Sequence, residues 1–245
     1  MKLALGAARE MFTAPATWVY LLLICGGMAT GAVLAGWAQG LDQTFDVSAL
    51  SIAADLATIV IIVGASMMAA APYSRGSIGF AYLSDNNRGL DLVFRLLLIV
   101  GALVLAGIVG MVGGYLGLTL FGAEVDLSSF SDRANGGGFI WTALLQWTVL
   151  AALAAGTAIA LRNGVWAVVI WMADFFFIEG MLSLVGADWA RALLGVLPVG
   201  LTRLVGLGEY PVVDQSVPLA VGILVAWVIA VSVVASVIVR RRPVE

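Results

Sequence analysis

The chain has 245 residues, of which 62% are hydrophobic and 11% are charged, with a formal net charge of −3. A soluble domain carries about a quarter charged residues, so the composition indicates a membrane protein. The chain has no histidine and one cysteine, Cys25, which excludes histidine-ligated metals or haem, Ser–His or Cys–His catalysis, and an internal disulfide. No basic stripe indicates a nucleic-acid partner. We therefore predict no catalytic, metal or cofactor site in the chain itself.

Apolar runs of about twenty residues recur along the chain, and each is long enough to cross a ~30 Å hydrocarbon core. The ~10-residue alternation of barrel strands is absent. The sequence predicts an all-α polytopic membrane protein, with a single transmembrane domain over residues 1–245. Six spans are expected, at about residues 18–38, 52–71, 94–120, 139–161, 165–185 and 217–239.

The segment before Pro15 mixes Arg9 and Glu10 with apolar residues. That pattern is typical of an amphipathic helix that lies in the membrane interface. Trp18 follows as an interfacial anchor at the start of the first span. We therefore predict an N-terminal interfacial helix ahead of the six spans.

Lysine and arginine are distributed unequally between the two sides of the predicted bundle. One side carries Lys2, Arg9, Arg75, Arg88, Arg95, Arg162 and Arg240 to Arg242, whereas the other carries Arg133, Arg191 and Arg203. The positive-inside rule places the richer side in the cytoplasm. The chain is thus predicted to lie in the plasma (cytoplasmic) membrane with both termini in the cytoplasm.

Residues 186–216, on the predicted outer side, are long and half apolar. Trp189, Leu193 and Leu197 recur at helical spacing beside Asp188 and Arg191. We predict short helices embedded at the outer interface, too short and too charged to form a seventh span.

Two carboxylates, Asp174 and Glu179, lie inside the fifth predicted span. Such residues usually face a bundle interior, an aqueous path or a partner. On a regular helix their spacing sets them about 140° apart, so no paired dyad is expected. Three interpretations stay open for Asp174, namely a hydrogen bond to Ser, Thr or Gln on a neighbouring helix, the lining of a path or gate, and proton coupling. Glu179 is open to the same hydrogen-bond interpretation, and also to that of a hydrated gate residue or an interface anchor.

Glycines at small-xxx-small spacing allow helices to approach closely. They occur in the first and third spans, at Gly27, Gly31, Gly110, Gly113, Gly114 and Gly117. Packing within the chain and a seam between two copies both fit this pattern.

Residues 72–93 form a long polar connection between the second and third spans, on the predicted cytoplasmic side. In and just after this connection lie Tyr73, Gly76, Ser77, Leu83, Arg88 and Arg95. With this layout the chain resembles the permease subunits of the ABC type-2 exporter family, which have six spans and a patterned cytoplasmic segment at this place. The six residues fall at or within one position of that pattern. The chain departs from the pattern at Pro72, where the family has an acidic residue, and at Asn86, where it has proline.

The resemblance implies that residues 72–93 form a coupling segment that docks on a separate ABC ATPase subunit. The residues expected to carry coupling are Tyr73, Arg75, Gly76, Ser77, Leu83, Asp85, Arg88 and Arg95. ATP and Mg would bind in that partner, and a second permease copy or paralogue would complete the transporter in the lipid bilayer. The cargo would be lipid-like, peptide or drug-like. The alternatives are a non-transport scaffold or regulatory subunit, and a proton-coupled secondary transporter that uses Asp174.

Overall fold

The computed structural model of the chain describes residues 2–41, 44–74, 88–132, 136–213 and 215–241. Within these residues, six helices are long and apolar enough to cross a membrane, as the sequence predicts. The helices of the first four spans and the one before them are α1 (Lys2–Thr13), α2 (Pro15–Gln39), α3 (Ala54–Ser74), α4 (Arg88–Leu120) and α5 (Gly136–Leu161). The four longer helices form because a helix pairs the backbone polar groups of a long apolar run internally, which a lipid environment demands. Helix α1 is the short amphipathic segment ahead of them.

The fifth span is interrupted. Helix α6 (Gly164–Ala173) passes through a π turn at Asp174–Ile178 into α7 (Glu179–Leu184). Two short helices follow, α8 (Asp188–Leu194) and α9 (Pro198–Leu207), and α10 (Val217–Arg241) forms the sixth span. Helices α8 and α9 are bent by 76° at their break, so the pair has the form of a broken span or a re-entrant loop.

Helix α5 lies at the centre of the bundle and contacts α3, α4, α6, α9 and α10. In an 18-residue apolar stretch of α5, 61% of the residues are buried, against 11% in a stretch of the same length in α10. Its second half is rich in alanine, which lets neighbouring helices approach closely. The core of the molecule therefore forms around α5, and α10 presents most of its surface outward.

Two residues, Arg162 and Asn163, separate the end of α5 at Leu161 from the start of α6 at Gly164. Arg162 adopts a left-handed conformation with φ of 53°. The side-chain oxygen of Asn163 accepts hydrogen bonds from the backbone N–H groups of Val165, at 2.9 Å, and Trp166, at 3.3 Å. Asn163 is thus the N-cap of α6, and the two helices can reverse direction without a longer loop.

A two-stranded parallel pairing joins β1 (Thr44–Asp46) to β2 (Glu124–Asp126). Each strand leads into a 3-10 turn, and Asp46 and Asp126 accept a hydrogen bond from the backbone N–H of Ser48 and Ser128 respectively. The prediction of an all-helical chain missed this pairing. A repeated Asp-apolar-Ser-x-apolar-Ser pattern, at residues 46–51 and 126–131, is the sequence signal that marks it.

The bundle has two distinct ends. At one end, which we call the basic end, α1 and the end of α3 meet the start of α4 and the α5–α6 turn. The acidic end is the opposite one, where the starts of α3 and α5 meet α9. The names reflect the distribution of basic and acidic residues in the sequence.

Candidate functional site

At the basic end, helix α1 is fastened to α2 by a corner at Ala14. The hydroxyl of Thr17 donates to the carbonyl oxygen of Met11 at 2.8 Å, and the indole of Trp18 donates to that of Phe12 at 2.8 Å. The rings of Phe12 and Trp18 also pack, with centroids 5.9 Å apart. Since Thr17 is buried, this corner holds α1 at a fixed angle to the first span.

An ion-pair network joins α1 to the start of α4. The guanidinium of Arg95 lies 3.0 Å from a carboxylate oxygen of Glu10 and donates to Asp91 at 2.8 Å. The Asp91 side chain is 4% exposed, against 33% for Glu10. Removing one partner of a buried pair leaves an uncompensated charge, which is costly. Arg95 therefore fixes α1 against the first turns of α4 with a two-pronged contact that arginine geometry favours.

Tyr73 lies at the end of α3, next to the α5–α6 turn. The guanidinium carbon of Arg162 is 5.8 Å from the centre of the Tyr73 ring, within range of a cation–π interaction. Pro72, where the resembled family has an acidic residue, lies inside the last turn of α3. It lines the same cleft as Glu10 and Arg95.

The other residues predicted to carry coupling fall mostly outside the described residues. Arg75, Gly76, Ser77, Leu83 and Asp85 are in that group. Arg88 begins α4, seven residues before Arg95. Of the predicted coupling set, the structure thus places Tyr73 and Arg95 at one end of the bundle, on the two helices that flank residues 75–87.

The two carboxylates of the fifth span are both buried, and the helix between them is not regular. Asp174 is 5% exposed and Glu179 is 7% exposed. The backbone N–H of Glu179 donates to the carbonyl oxygen of Asp174, an i→i+5 bond that defines the π turn. The expected separation of about 140° assumed α-helical geometry, whereas a π turn lies between the two residues.

Glu179 caps a helix that lies twenty residues further along the chain. Its carboxylate accepts from the backbone N–H of Val199 at 2.7 Å, and from that of Gly200. These donors belong to the first turn of α9, whose own N-cap, Leu197, offers no side-chain acceptor. A Cβ added at Gly200 would lie 3.0 Å from the carboxylate, so glycine permits this approach. Glu179 thereby fixes α9 to the fifth span, through backbone groups and not through a Ser, Thr or Gln side chain.

Asp174 is buried, and one of its carboxylate oxygens lacks a hydrogen bond among the described residues. Its Oδ2 atom has no hydrogen-bond partner in the described part of the chain. A buried unpaired carboxylate oxygen is costly and unusual, and π turns are frequent at functional sites. A buried carboxylate oxygen without a hydrogen bond, at the start of a π turn, makes Asp174 a candidate functional residue.

Most of the predicted packing glycines lie between helices of the same chain. A Cβ added at Gly110 would lie 2.6 Å from Met28 Cβ, and one added at Gly114 would lie 2.8 Å from Ala32 Cβ. Gly113 and Gly117 face α2 in the same way. On α2, Gly31 faces Ala53, whereas an added Cβ at Gly27 would have no atom within 4 Å.

Gly107, which the spacing argument did not single out, packs directly against the ring of Trp147 on α5. The α2–α4 contact and the α4–α5 contact both depend on such close approach. Five glycines of α4 therefore serve helix packing inside this chain, at positions 107, 110, 113, 114 and 117.

No group of three or more His, Cys, Asp or Glu side chains that could hold a metal ion occurs in the residues that the structure describes. No protein-family model matches the chain, and no curated protein matches it. The fold defines the class of the protein, a helical membrane protein with six helices able to span the bilayer.

Proposed function

We propose that the chain is the transmembrane permease subunit of an ATP-driven exporter of the ABC type-2 kind, which works with a separate ATPase subunit. Two permeases, two copies or a copy and a paralogue, would enclose the path of a lipid-like, peptide or drug-like cargo. ATP and Mg would bind in the ATPase. The basic end would face the cytoplasm, α1 would lie in the interface, and α8 and α9 would form the outer interfacial segment over residues 186–216.

The observation that carries this proposal is the linkage at the basic end. Helix α1 is held to α2 by a corner and to α4 by the Glu10–Arg95 ion pair. Arg95 lies shortly after residues 72–93, the segment proposed to receive force from the ATPase. A displacement of that segment would therefore reach both α1 and the third span through side chains that are already in contact.

The departure at Pro72 fits the same arrangement. Pro72 cannot supply the acidic group found there in the resembled family. Glu10, which lines the same cleft, brings a carboxylate to Arg95 from α1. This supports a permease in which the N-terminal helix supplies the charge that α3 lacks.

Co-purification tests the proposal. The chain isolated from native membranes should carry a P-loop ATPase in a stable complex that hydrolyses ATP. The substitutions Tyr73→Ala, Gly76→Trp and Arg88→Ala should release the ATPase or abolish hydrolysis, because they alter the proposed docking segment. Arg191→Ala, a change at the acidic end, is the matched control and should have no effect. If the complex still forms and hydrolyses ATP after each of the three changes, the proposal is contradicted.

A second candidate, proton-coupled transport, is favoured by the unpaired Oδ2 atom of Asp174. Buried carboxylates inside membrane spans are a recurrent element of proton relays. Uptake or efflux driven by a proton gradient without nucleotide, and abolished by Asp174→Asn, would support it. A gradient-independent, ATP-dependent activity that persists in Asp174→Asn would exclude it.

A further inference from the structure

A cavity of about 310 Å³ opens at the acidic end, between the start of α3, the start of α5 and the end of α9. Ligand pockets in proteins measure about 300–1,000 Å³. This cavity is at the small end of that range. It therefore has room for a small molecule or for the headgroup of a lipid.

The floor of the cavity is polar and fixed. Thr58 and Gln146, which are 1% and 3% exposed, line it from α3 and α5. The hydroxyl oxygen of Thr58 accepts from Trp147 Nε1 at 3.1 Å and from Gln146 Nε2 at 3.4 Å. Its own hydroxyl group donates to the carbonyl oxygen of Ala54 at 2.8 Å.

A primary amide has two N–H donors and a carbonyl acceptor. The network on the floor uses one of the Gln146 donors. An N–H group and the carbonyl oxygen of Gln146 thus stay available to a molecule in the cavity.

The walls carry opposite charges. Asp55 on α3 and Arg203 on α9 both line the cavity. Arg203 donates to the hydroxyl of Tyr210 at 3.4 Å. Within the described part of the chain, Arg203 and Asp55 do not form an ion pair with each other. A negative and a positive group thus face one polar space without neutralising each other directly.

We propose that this cavity binds a small zwitterion. The anionic group of the ligand pairs with the Arg203 guanidinium, whose fork suits a carboxylate or a phosphate. The ammonium group pairs with Asp55, and the polar middle of the ligand meets the Gln146 amide. Free amino acids and the headgroups of zwitterionic phospholipids share this chemistry. The proposal goes beyond the exporter function, because the cavity lies at the end of the bundle opposite the proposed ATPase contact.

Isothermal titration of the purified full chain in detergent tests this site. The probes are three zwitterions (glycine, γ-aminobutyrate and glycerophosphoethanolamine) and two compounds of single charge (acetate and ethanolamine). At least one zwitterion should bind at a single saturable site, and the singly charged compounds should bind about tenfold more weakly or worse.

The choice among the zwitterions identifies the source of the ligand. Preference for glycerophosphoethanolamine indicates a lipid headgroup, whereas preference for glycine or γ-aminobutyrate indicates a free amino acid. If none of the three zwitterions binds, or if acetate and ethanolamine bind equally well, the proposal is overturned.

Paired variants locate the site. Asp55→Asn and Arg203→Gln should each weaken binding by about tenfold or more, because each removes one charged contact. Asp188→Asn and Arg191→Gln make the same changes of charge on α8, outside the cavity lining, and should leave binding unchanged. Asp55 is exposed at the mouth of the cavity, so its asparagine variant should fold normally, which gel filtration checks. Native affinity in both cavity variants, or an equal loss in the α8 variants, would contradict the assignment.

Discussion

Replacing Glu179 by glutamine should loosen α9 from the fifth span. In the native chain one carboxylate accepts from the backbone N–H groups of Val199 and Gly200. Glutamine keeps one acceptor oxygen, but its NH₂ group faces the second backbone donor and cannot accept from it. The variant therefore loses one charge-assisted hydrogen bond and leaves a buried N–H group unpaired.

The size of the effect follows from that loss. A hydrogen bond to a charged group contributes about 1.5–3 kcal/mol, which corresponds to a change of about 10- to 150-fold in the opening equilibrium. Opening also returns the native carboxylate to water, which lowers the cost of opening in the native chain. We therefore expect the lower end of this range, about tenfold faster amide exchange at the start of α9.

Hydrogen–deuterium exchange of the full chain, read by mass spectrometry on peptides that cover α9, measures this opening. Glu209→Gln is the matched control, because Glu209 is an exposed acid just beyond the end of α9. It should leave the exchange of α9 unchanged. Unaltered exchange in Glu179→Gln, or the same acceleration in Glu209→Gln, would show that the carboxylate does not hold α9.

Two further changes probe the basic end and the helix seams. Arg95→Ala should destabilise the chain by about 3–5 kcal/mol, since it leaves the buried Asp91 unpaired. Arg95→Lys should recover part of that loss, and thermal unfolding in detergent measures both; equal stability of all three proteins would refute the ion-pair argument. Gly114→Ala should cost about 1–3 kcal/mol, because the new Cβ would lie 2.8 Å from Ala32 Cβ. Gly27→Ala, with no atom within 4 Å of the added Cβ, should cause no loss of stability in the same assay, because alanine is the better helix former. An equal cost at both sites would contradict the packing argument.

The number of spans could be predicted because it depends on a local property. A run of about twenty apolar residues is long enough to cross the bilayer wherever it packs. The short α5–α6 turn is similarly local, since Asn163 caps the helix that follows it directly. These features need no knowledge of the rest of the chain.

Features that depend on contacts between distant residues were not predicted from the sequence. The partners of Glu179 are backbone groups twenty residues away, and nothing in the apolar pattern around Asp174 marks a π turn. The pairing of β1 with β2 joins residues 80 positions apart. For the glycines of α4, spacing indicated close packing, but the neighbour each one meets was set by the tertiary arrangement of α2 and α5.

In the proposed exporter a separate ATPase docks on residues 72–93. Photo-crosslinking tests this contact: Tyr82 is replaced with p-benzoylphenylalanine and native membranes are illuminated. A second variant carries the same group at Arg191, on α8 at the acidic end. We expect a covalent adduct with a P-loop ATPase from position 82 and none from position 191. No ATPase adduct from position 82, or an equal one from position 191, would contradict it.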